Sequence, residues 1–186
     1  KFTSLCLTID TIVAGNRERD LRTGMTMPPK FTPSSLLGFA MRPRWVYNYL
    51  THKGFKLSNL EGKTEKGSKE SLSVIDYINS QFDTNLSWED AQKAIEAWGG
   101  PFAIKGVMSV ADAKRAVDIG ASAIMISNHG GRQLDSSPAP FDLLSDIVDA
   151  VGGKIEIICD GGIRRGTHVL KALALGANAC SMGRPY

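Results

Sequence analysis

Residues 123–135 are Ala123-Ile124-Met125-Ile126-Ser127-Asn128-His129-Gly130-Gly131-Arg132-Gln133-Leu134-Asp135. The four apolar residues predict a buried strand, and the polar residues after them predict the loop at its carboxyl end. The paired glycines let that loop turn tightly and approach a ligand closely. An imidazole can accept a proton near neutral pH, and a guanidinium can grip a carboxylate. We interpret His129 and Arg132 as a base beside a clamp for an acid; a solvated loop whose histidine caps a helix is the alternative.

Outward from this stretch, short apolar runs alternate with amphipathic stretches, which is typical of parallel α/β proteins. The predicted strands are Ser4–Asp10, Phe102–Gly106, Ala123–Ser127, Ile155–Asp160 and Asn178–Gly183. The predicted helices are Ser87–Trp98, Ser109–Ile119, Phe141–Val151 and Arg165–Leu175. Polar residues end four of these strands, namely Asp10, Lys105, His129 and Asp160, and this is where a (β/α)8 barrel carries its chemistry. We predict an α/β fold, a (β/α)8 TIM barrel of which this chain holds five strands.

Composition restricts the class of protein. The chain has 186 residues, of which 42% are hydrophobic and 22% charged, as in ordinary globular domains. A net charge of +3 suits an anion site or an acidic surface, but it is too small to indicate nucleic-acid binding. We predict no metal site, because Cys6, Cys159 and Cys180 lack metal-like spacing. Since each lies in an apolar run, we expect buried, reduced thiols in a cytosolic protein.

The sequence contains no signal peptide and no apolar run long enough to span a bilayer. It begins without an initiator methionine and stops just after a strand, so we expect a piece of a larger protein. A (β/α)8 barrel needs roughly 250 residues, and five strands amount to a little over half of one. We treat 1–186 as one partial barrel.

One segment, at about 22–80, does not fit the repeat and is predicted to be a long loop insertion. It holds an aromatic and basic run from Phe39 to Tyr49 that includes Arg42, Arg44 and Trp45. Such a mixture suits a membrane interface, where rings and cations sit among headgroups. A helix that packs its aromatic residues on the barrel is the alternative interpretation.

Two glycine-containing loops indicate an anion site. Asp160-Gly161-Gly162-Ile163-Arg164-Arg165-Gly166 ends one strand and opens a helix, and Gly183-Arg184 ends the next strand. Backbone N–H groups at a helix N-terminus favour anions. Phosphate sites on this fold are commonly built from the loops after the last two strands. Two tight turns with solvated arginines are the alternative.

Two further charged residues end strands. Lys105 would point into the barrel mouth, where a cation stabilises negative charge on a reduced ring or an oxyanion; pairing with an interior carboxylate is the alternative. Asp10 is suited to orient a histidine and stabilise its imidazolium, although an aspartate at such a position is also a common helix cap.

Five motifs, taken in order, resemble the FMN-dependent α-hydroxy acid dehydrogenase/oxidase family. They are Leu7-Thr8-Ile9-Asp10 with Asn16-Arg17-Glu18, Ile104-Lys105-Gly106, the 127–135 run, the 160–166 loop, and Leu173-Ala174-Leu175-Gly176-Ala177 with Gly183-Arg184-Pro185. The resemblance covers essentially the whole chain and implies strands four to eight of an FMN-holding barrel. Glycolate oxidase, mandelate dehydrogenase and the respiratory L-lactate dehydrogenases belong to this family.

The resemblance implies a role for each site residue. His129 is the base and Asp10 its carboxylate partner, while Arg132 and Arg17 bind the substrate. The residues implied to contact FMN are Thr8, Lys105, Asp160, Gly161, Gly162, Arg164, Gly183 and Arg184. The base takes a proton from carbon or from the hydroxyl as two electrons pass to the flavin; the carbanion and hydride descriptions both remain open.

This chain does not match the whole pattern of the family, and the mismatch lowers the activity that we expect of it. The family has two substrate-facing tyrosines and further FMN contacts on its first three strands, and no tyrosine here lies in a matching context. We therefore expect the 186 residues alone to be a poor catalyst. A non-catalytic half-barrel and another phosphate-binding barrel, such as a flavin-dependent isomerase, are the alternatives from other classes.

The insertion at 22–80 favours the membrane-associated dehydrogenases among the family's members. We expect an L-lactate dehydrogenase that passes electrons to a quinone or cytochrome, then a mandelate dehydrogenase, then a soluble glycolate or hydroxy acid oxidase. We expect a homo-oligomer that is cytoplasmic, with peripheral contact to the inner face of the cell membrane.

Overall fold

The computed structural model describes residues 2–12, 15, 18–23, 31–52 and 82–185. The chain divides into two compact units, one formed by Lys1–Asn16 with Asp83–Tyr186 and the other by Arg17–Phe82. The whole predicted insertion, at about 22–80, belongs to the second unit, and its residues 24–30 and 53–80 lie outside the described ranges.

Within the described residues of the first unit, one sheet holds five strands. They are β1 (Leu5–Thr8), β2 (Phe102–Val107), β3 (Ala123–Ile126), β4 (Glu156–Asp160) and β5 (Ala179–Ser181). Each strand pairs in parallel with the next one along the chain, so the order in the sheet is the order in the sequence. This arrangement confirms the predicted fold class, since a (β/α)8 barrel orders its strands in this way.

The helices described in the two units are numbered together in chain order. They are α1 (Glu18–Thr23), α2 (Pro33–Ala40), α3 (Pro43–Thr51), α4 (Trp88–Trp98), α5 (Val110–Asp118), α6 (Pro140–Val151) and α7 (Gly166–Ala174). The last four confirm the four predicted helices to within one or two residues. Among the described residues, no helix combines the length and the apolarity needed to cross a membrane.

Local sequence sets the ends of these helices. Ser87 and Ser109 begin α4 and α5, and each side chain accepts a hydrogen bond from the backbone N–H three residues later. This contact satisfies one of the N–H groups that a helix N-terminus leaves free. Gly99 ends α4 in the left-handed conformation, with φ of 65°, which glycine adopts without steric strain.

The core lies between the sheet and its helices. Alternate residues along the strands are completely buried, as Ile124 and Ile126 show, while Ala123 and Met125, which alternate with them, are half-buried. The buried strand residues pack with Leu144 of α6 and other helix residues in one cluster. The helices therefore cover one face of the sheet and leave the loops at its carboxyl end open.

The cysteines correct one expectation. Cys159 is buried and Cys180 half-buried, but Cys6 is exposed, so the prediction that it is buried is wrong. Cys6 lies on β1, which pairs only with β2 in the described sheet and has no neighbour on its other side. Burial raises the pKa of the Cys159 thiol to about 11, so this thiol stays protonated, and therefore unreactive, at neutral pH.

Candidate functional site

The carboxyl ends of the strands bring the predicted site residues to one edge of the sheet. Strand register pairs Thr8 with Lys105 and Asp160 with Ser181. An open cleft of about 510 Å³ lies at this edge. The predicted residues that line it are Lys105, His129, Arg132, Asp160, Gly161, Gly162, Arg164, Gly183 and Arg184. The structure therefore collects nine of the predicted residues around one cavity.

The predicted base and its carboxylate partner are in direct contact. His129 Nδ1 lies 3.0 Å from Asp10 Oδ1. Because a carboxylate only accepts hydrogen bonds, Nδ1 carries the proton and donates it to Asp10, which leaves Nε2 with its lone pair. The other carboxylate oxygen, Oδ2, is buried without a hydrogen-bond partner among the described residues. This arrangement prepares Nε2 to accept a proton.

Lys105 lies between His129 and Asp160. Its Nζ lies 3.5 Å from His129 Nδ1 and 4.0 Å from Asp160 Oδ2. Since the proton of Nδ1 is donated to Asp10, the contact with Lys105 is close packing of a cation and not a hydrogen bond. The ammonium is mostly enclosed, with 21% of its side chain exposed. It therefore supplies a fixed positive charge beside the base, at the cleft.

Ser127 connects these groups, and sequence reasoning assigned it no role. Its side chain is completely buried. Its hydroxyl donates to Asp160 Oδ2 at 2.6 Å and accepts the backbone N–H of His129 at 3.1 Å. The hydroxyl therefore links the loop of the base to the end of β4. The available signal was a polar residue directly after an apolar strand and two positions before His129.

Gly106 is the second residue that sequence reasoning passed over. It lies where the register between β2 and β3 shifts, between Lys105 and Val107, and its φ is 103°. A Cβ atom at this position would lie 2.9 Å from the Cβ of Asp10. The missing side chain therefore gives Asp10 the space in which it reaches His129.

The loop of the base is held from two sides. His129 itself has a φ of 58°, which is uncommon for a residue other than glycine. The side-chain amide of Gln133 donates to the backbone carbonyl of Asp10 at 3.1 Å. Arg184 donates from Nη2 to the carbonyl of Gly130 at 2.6 Å. These contacts fix the backbone that presents His129 to the cleft.

Three predicted site residues remain, and two of them lie in the described part of the chain. Arg132 is exposed and lines the cleft. Thr8 lies at the end of β1 beside Lys105, and it is half-buried. Arg17 lies outside the described residues. The structure thus brings Arg132 to the cavity and leaves the assignment of Arg17 as a prediction.

The chemistry along the cleft fits a flavin mononucleotide. Arg164 and Arg184 line the part next to the glycines of the 160–166 loop, where Gly161 and Gly162 have φ of 106° and 74°. Asp160, a hydrogen-bond acceptor suited to hydroxyls, lies between this part and Lys105. The cleft thus presents three kinds of group in order: cations suited to a phosphate, an acceptor suited to a polyol chain, and a cation suited to an electron-rich ring. The volume lies within the usual range for ligand pockets.

Known proteins resemble this chain along its whole length. The family model described as FMN-dependent dehydrogenase matches residues 1–186. A putative L-lactate dehydrogenase of Mycobacterium tuberculosis is 37% identical over 100% of this chain and 43% of that protein. An L-lactate oxidase of Nostoc is 39% identical over 99% of this chain and 45% of that protein. The chain thus spans about half the length of the curated relatives it matches.

A solved structure extends the comparison to three dimensions. The crystal structure of the monotopic membrane protein (S)-mandelate dehydrogenase superposes with a TM-score of 0.90 at 33% identity. The match covers 100% of this chain and 48% of that one. Family model, relatives and superposition agree over the whole chain, and the chain belongs to the FMN-dependent dehydrogenase family, whose members depend on FMN.

Proposed function

We propose that the protein carries out FMN-dependent oxidation of an L-2-hydroxy acid, L-lactate to pyruvate, and passes the electrons to a quinone or cytochrome. The observation that carries this proposal is the 3.0 Å contact between His129 and Asp10 at the cleft that Arg132 also lines. A base with a free Nε2 beside a guanidinium suits a substrate that has both a carboxylate and a proton to lose.

In this proposal the side chains divide the work. Arg132 binds the substrate carboxylate through its planar guanidinium. His129 Nε2 removes one proton, from the α-carbon or the hydroxyl, and Asp10 stabilises the imidazolium that results. Bound FMN supplies a two-electron acceptor. Arg17 is proposed as a second cation near the substrate, from the family resemblance.

The same proposal assigns the residues that hold FMN. Lys105 and Thr8 would lie against the flavin ring, with the ammonium favouring negative charge there. Asp160 would accept hydrogen bonds from the ribityl hydroxyls. The phosphate would be held by the two loops after β4 and β5, through Gly161, Gly162, Arg164, Gly183 and Arg184. Seven of the nine cleft residues, all except His129 and Arg132, and Thr8 then have one common ligand.

Mandelate is the second substrate candidate, and a specific observation favours it. The superposition on (S)-mandelate dehydrogenase has a TM-score of 0.90, against 0.68 for a lactate oxidase. The relatives whose names refer to L-lactate favour lactate over mandelate as the substrate. A glycolate or hydroxy acid oxidase that uses oxygen is the third candidate, supported by human 2-hydroxyacid oxidase 1 at 38% identity.

Anaerobic spectroscopy of the complete protein tests the proposal. We expect one flavin per polypeptide and loss of its visible absorbance on addition of L-lactate, with D-lactate as the control for stereochemistry. Faster bleaching by (S)-mandelate would assign the protein to the second candidate. Absence of flavin would overturn the enzyme proposal in favour of a non-catalytic half-barrel, and rapid reoxidation by oxygen would favour the oxidase.

The second unit supports the proposed membrane contact. In α2 and α3 the rings of Phe39, Trp45 and Tyr49 stack in sequence, with centroid distances of 4.9 and 5.2 Å. Exposed large apolar side chains accompany them, namely Phe31, Leu36, Leu37, Met41, Tyr47 and Leu50. Between residues 31 and 52 the sequence has Arg42 and Arg44 and no acidic residue. Apolar surface with positive charge alone suits an anionic leaflet.

Reversing the two arginine charges tests this contact. Each basic residue near an anionic surface contributes about 1 kcal/mol, so Arg42→Glu with Arg44→Glu should weaken vesicle binding at least tenfold. Co-sedimentation with phosphatidylglycerol vesicles measures the effect. The matched control is Lys114→Glu with Arg115→Glu, the same charge change on exposed positions of α5. Equal binding of both double variants would remove the membrane proposal. Peripheral attachment to the inner face of the cell membrane and a homo-oligomeric state complete the proposed setting.

A further inference from the structure

His168 lies beside the loop that is proposed to hold the FMN phosphate, and it has no role in the function proposed above. It is the third residue of α7 and half-buried. Its Nδ1 lies 3.3 Å from the backbone nitrogen of Arg164 and 3.3 Å from the carbonyl oxygen of Gly162. These two groups flank Ile163, whose side chain is 4% exposed. The loop is therefore held by a buried side chain and by the imidazole.

One ring nitrogen can satisfy only one of these groups at a time. Without a proton, Nδ1 accepts the N–H of Arg164; with a proton, it donates to the carbonyl of Gly162. Either contact ties the loop to the first turn of α7. The residue that begins the helix, Arg165, makes no side-chain capping bond. The backbone before α7 is therefore held from the third position of the helix, by His168, and not by the capping residue.

The position of this contact gives it a consequence for anion binding. Gly162 and Arg164 both line the cleft. A second cavity of about 480 Å³ lies next to it, and His168, Arg164, Lys171 and Arg184 line it, with no acidic residue among its lining. Among the described residues that line this cavity, the cations have no acidic neighbour. A polar contact to the backbone on one side of Ile163 restrains the loop that carries Arg164 to the cleft.

We propose that His168 is a positioning residue for the FMN phosphate, acting through the Gly162–Arg164 loop. This inference rests on the proposed cofactor site and adds a residue to it that does not touch the cofactor. Because the loop would contact only the phosphate end of the ligand, the contribution of His168 to binding affinity should be specific to FMN. Riboflavin, which has the same ring and ribityl chain but no phosphate, should bind without its help.

The test compares FMN and riboflavin binding to flavin-depleted complete protein by quenching of flavin fluorescence. His168→Leu keeps a side chain of similar size but removes the polar contact, and should weaken FMN binding by roughly three- to tenfold, as loss of one hydrogen bond predicts. Riboflavin affinity should not change. His168→Asn places a polar atom where Nδ1 stood and should restore the wild-type FMN affinity. Thr167→Leu, on the neighbouring exposed position, is the matched control.

Each other outcome has a definite meaning. Equal weakening of FMN and riboflavin by His168→Leu would show general damage and overturn the inference, as would unchanged FMN affinity. If His168→Leu does not fold, failure of His168→Asn to match the wild-type preference for FMN would overturn it instead. A wild-type protein that does not prefer FMN to riboflavin would contradict the proposed phosphate site itself.

Discussion

Replacing His129 with Gln in the complete, FMN-loaded protein is expected to slow flavin reduction by L-lactate about 10²–10⁴-fold. Glutamine keeps a polar side chain of comparable size but has no nitrogen that accepts a proton near neutral pH. The contact of His129 with Asp10 at 3.0 Å would also lose its function, since no imidazolium would form. Stopped-flow measurement of the flavin absorbance under nitrogen gives the rate.

The flavin content of the His129→Gln variant should stay at the wild-type level, because the residues proposed to hold the cofactor are unchanged. A matched control is Ser136→Gln, which places the same side chain at an exposed position of the same loop that also has a positive φ, here 61°. It should reduce flavin at the wild-type rate. A near-normal rate in the His129 variant would show that this histidine is not the base.

Gly106→Ala is the second change with a large expected effect, because one methyl group acts in two ways. The backbone φ of 103° is strained for any residue with a side chain, which costs about 1–3 kcal/mol. The new Cβ would also meet Asp10 at 2.9 Å. Asp10 must then move away from its position against His129. We expect a lower free energy of unfolding and a slower flavin reduction, since a displacement near 1 Å can lower a rate about 10²-fold.

Gly120→Ala separates the two contributions. Gly120 also has a positive φ, 81°, but a Cβ there has no atom within 4 Å. This control should lose stability without losing the rate of flavin reduction. Urea unfolding and stopped-flow reduction are measured on both variants. If Gly106→Ala loses no more activity than Gly120→Ala, the space at Gly106 does not position Asp10.

The fold was predictable because its signals are local. The alternation of apolar runs and amphipathic stretches located each strand and each barrel helix, and Ser87 and Ser109 marked the starts of two helices in the sequence itself. The direction of the sheet followed from the helices between the strands. The exposure of Cys6 could not be predicted in this way, since it depends on what packs against β1 and not on the local sequence.

The candidate site was predictable to the extent that its residues end strands. His129, Lys105 and Asp160 can be recognised in the sequence because they are charged or titratable groups that follow apolar runs. The structure brings them to one cleft. Ser127, Gly106 and His168 are not charged or titratable groups that directly follow an apolar run. Their importance comes from contacts with residues far away in sequence, or from the absence of a side chain, and only three-dimensional distances reveal these.

The base and its partner lie 119 positions apart in the chain. Asp10 follows β1, which joins β2 only after a long intervening segment, so the pair closes a very large loop of polypeptide. Loop-closure entropy grows slowly, by about 0.6 kcal/mol for each doubling in length. Evolution can therefore lengthen or shorten the intervening segment with little penalty to the pair.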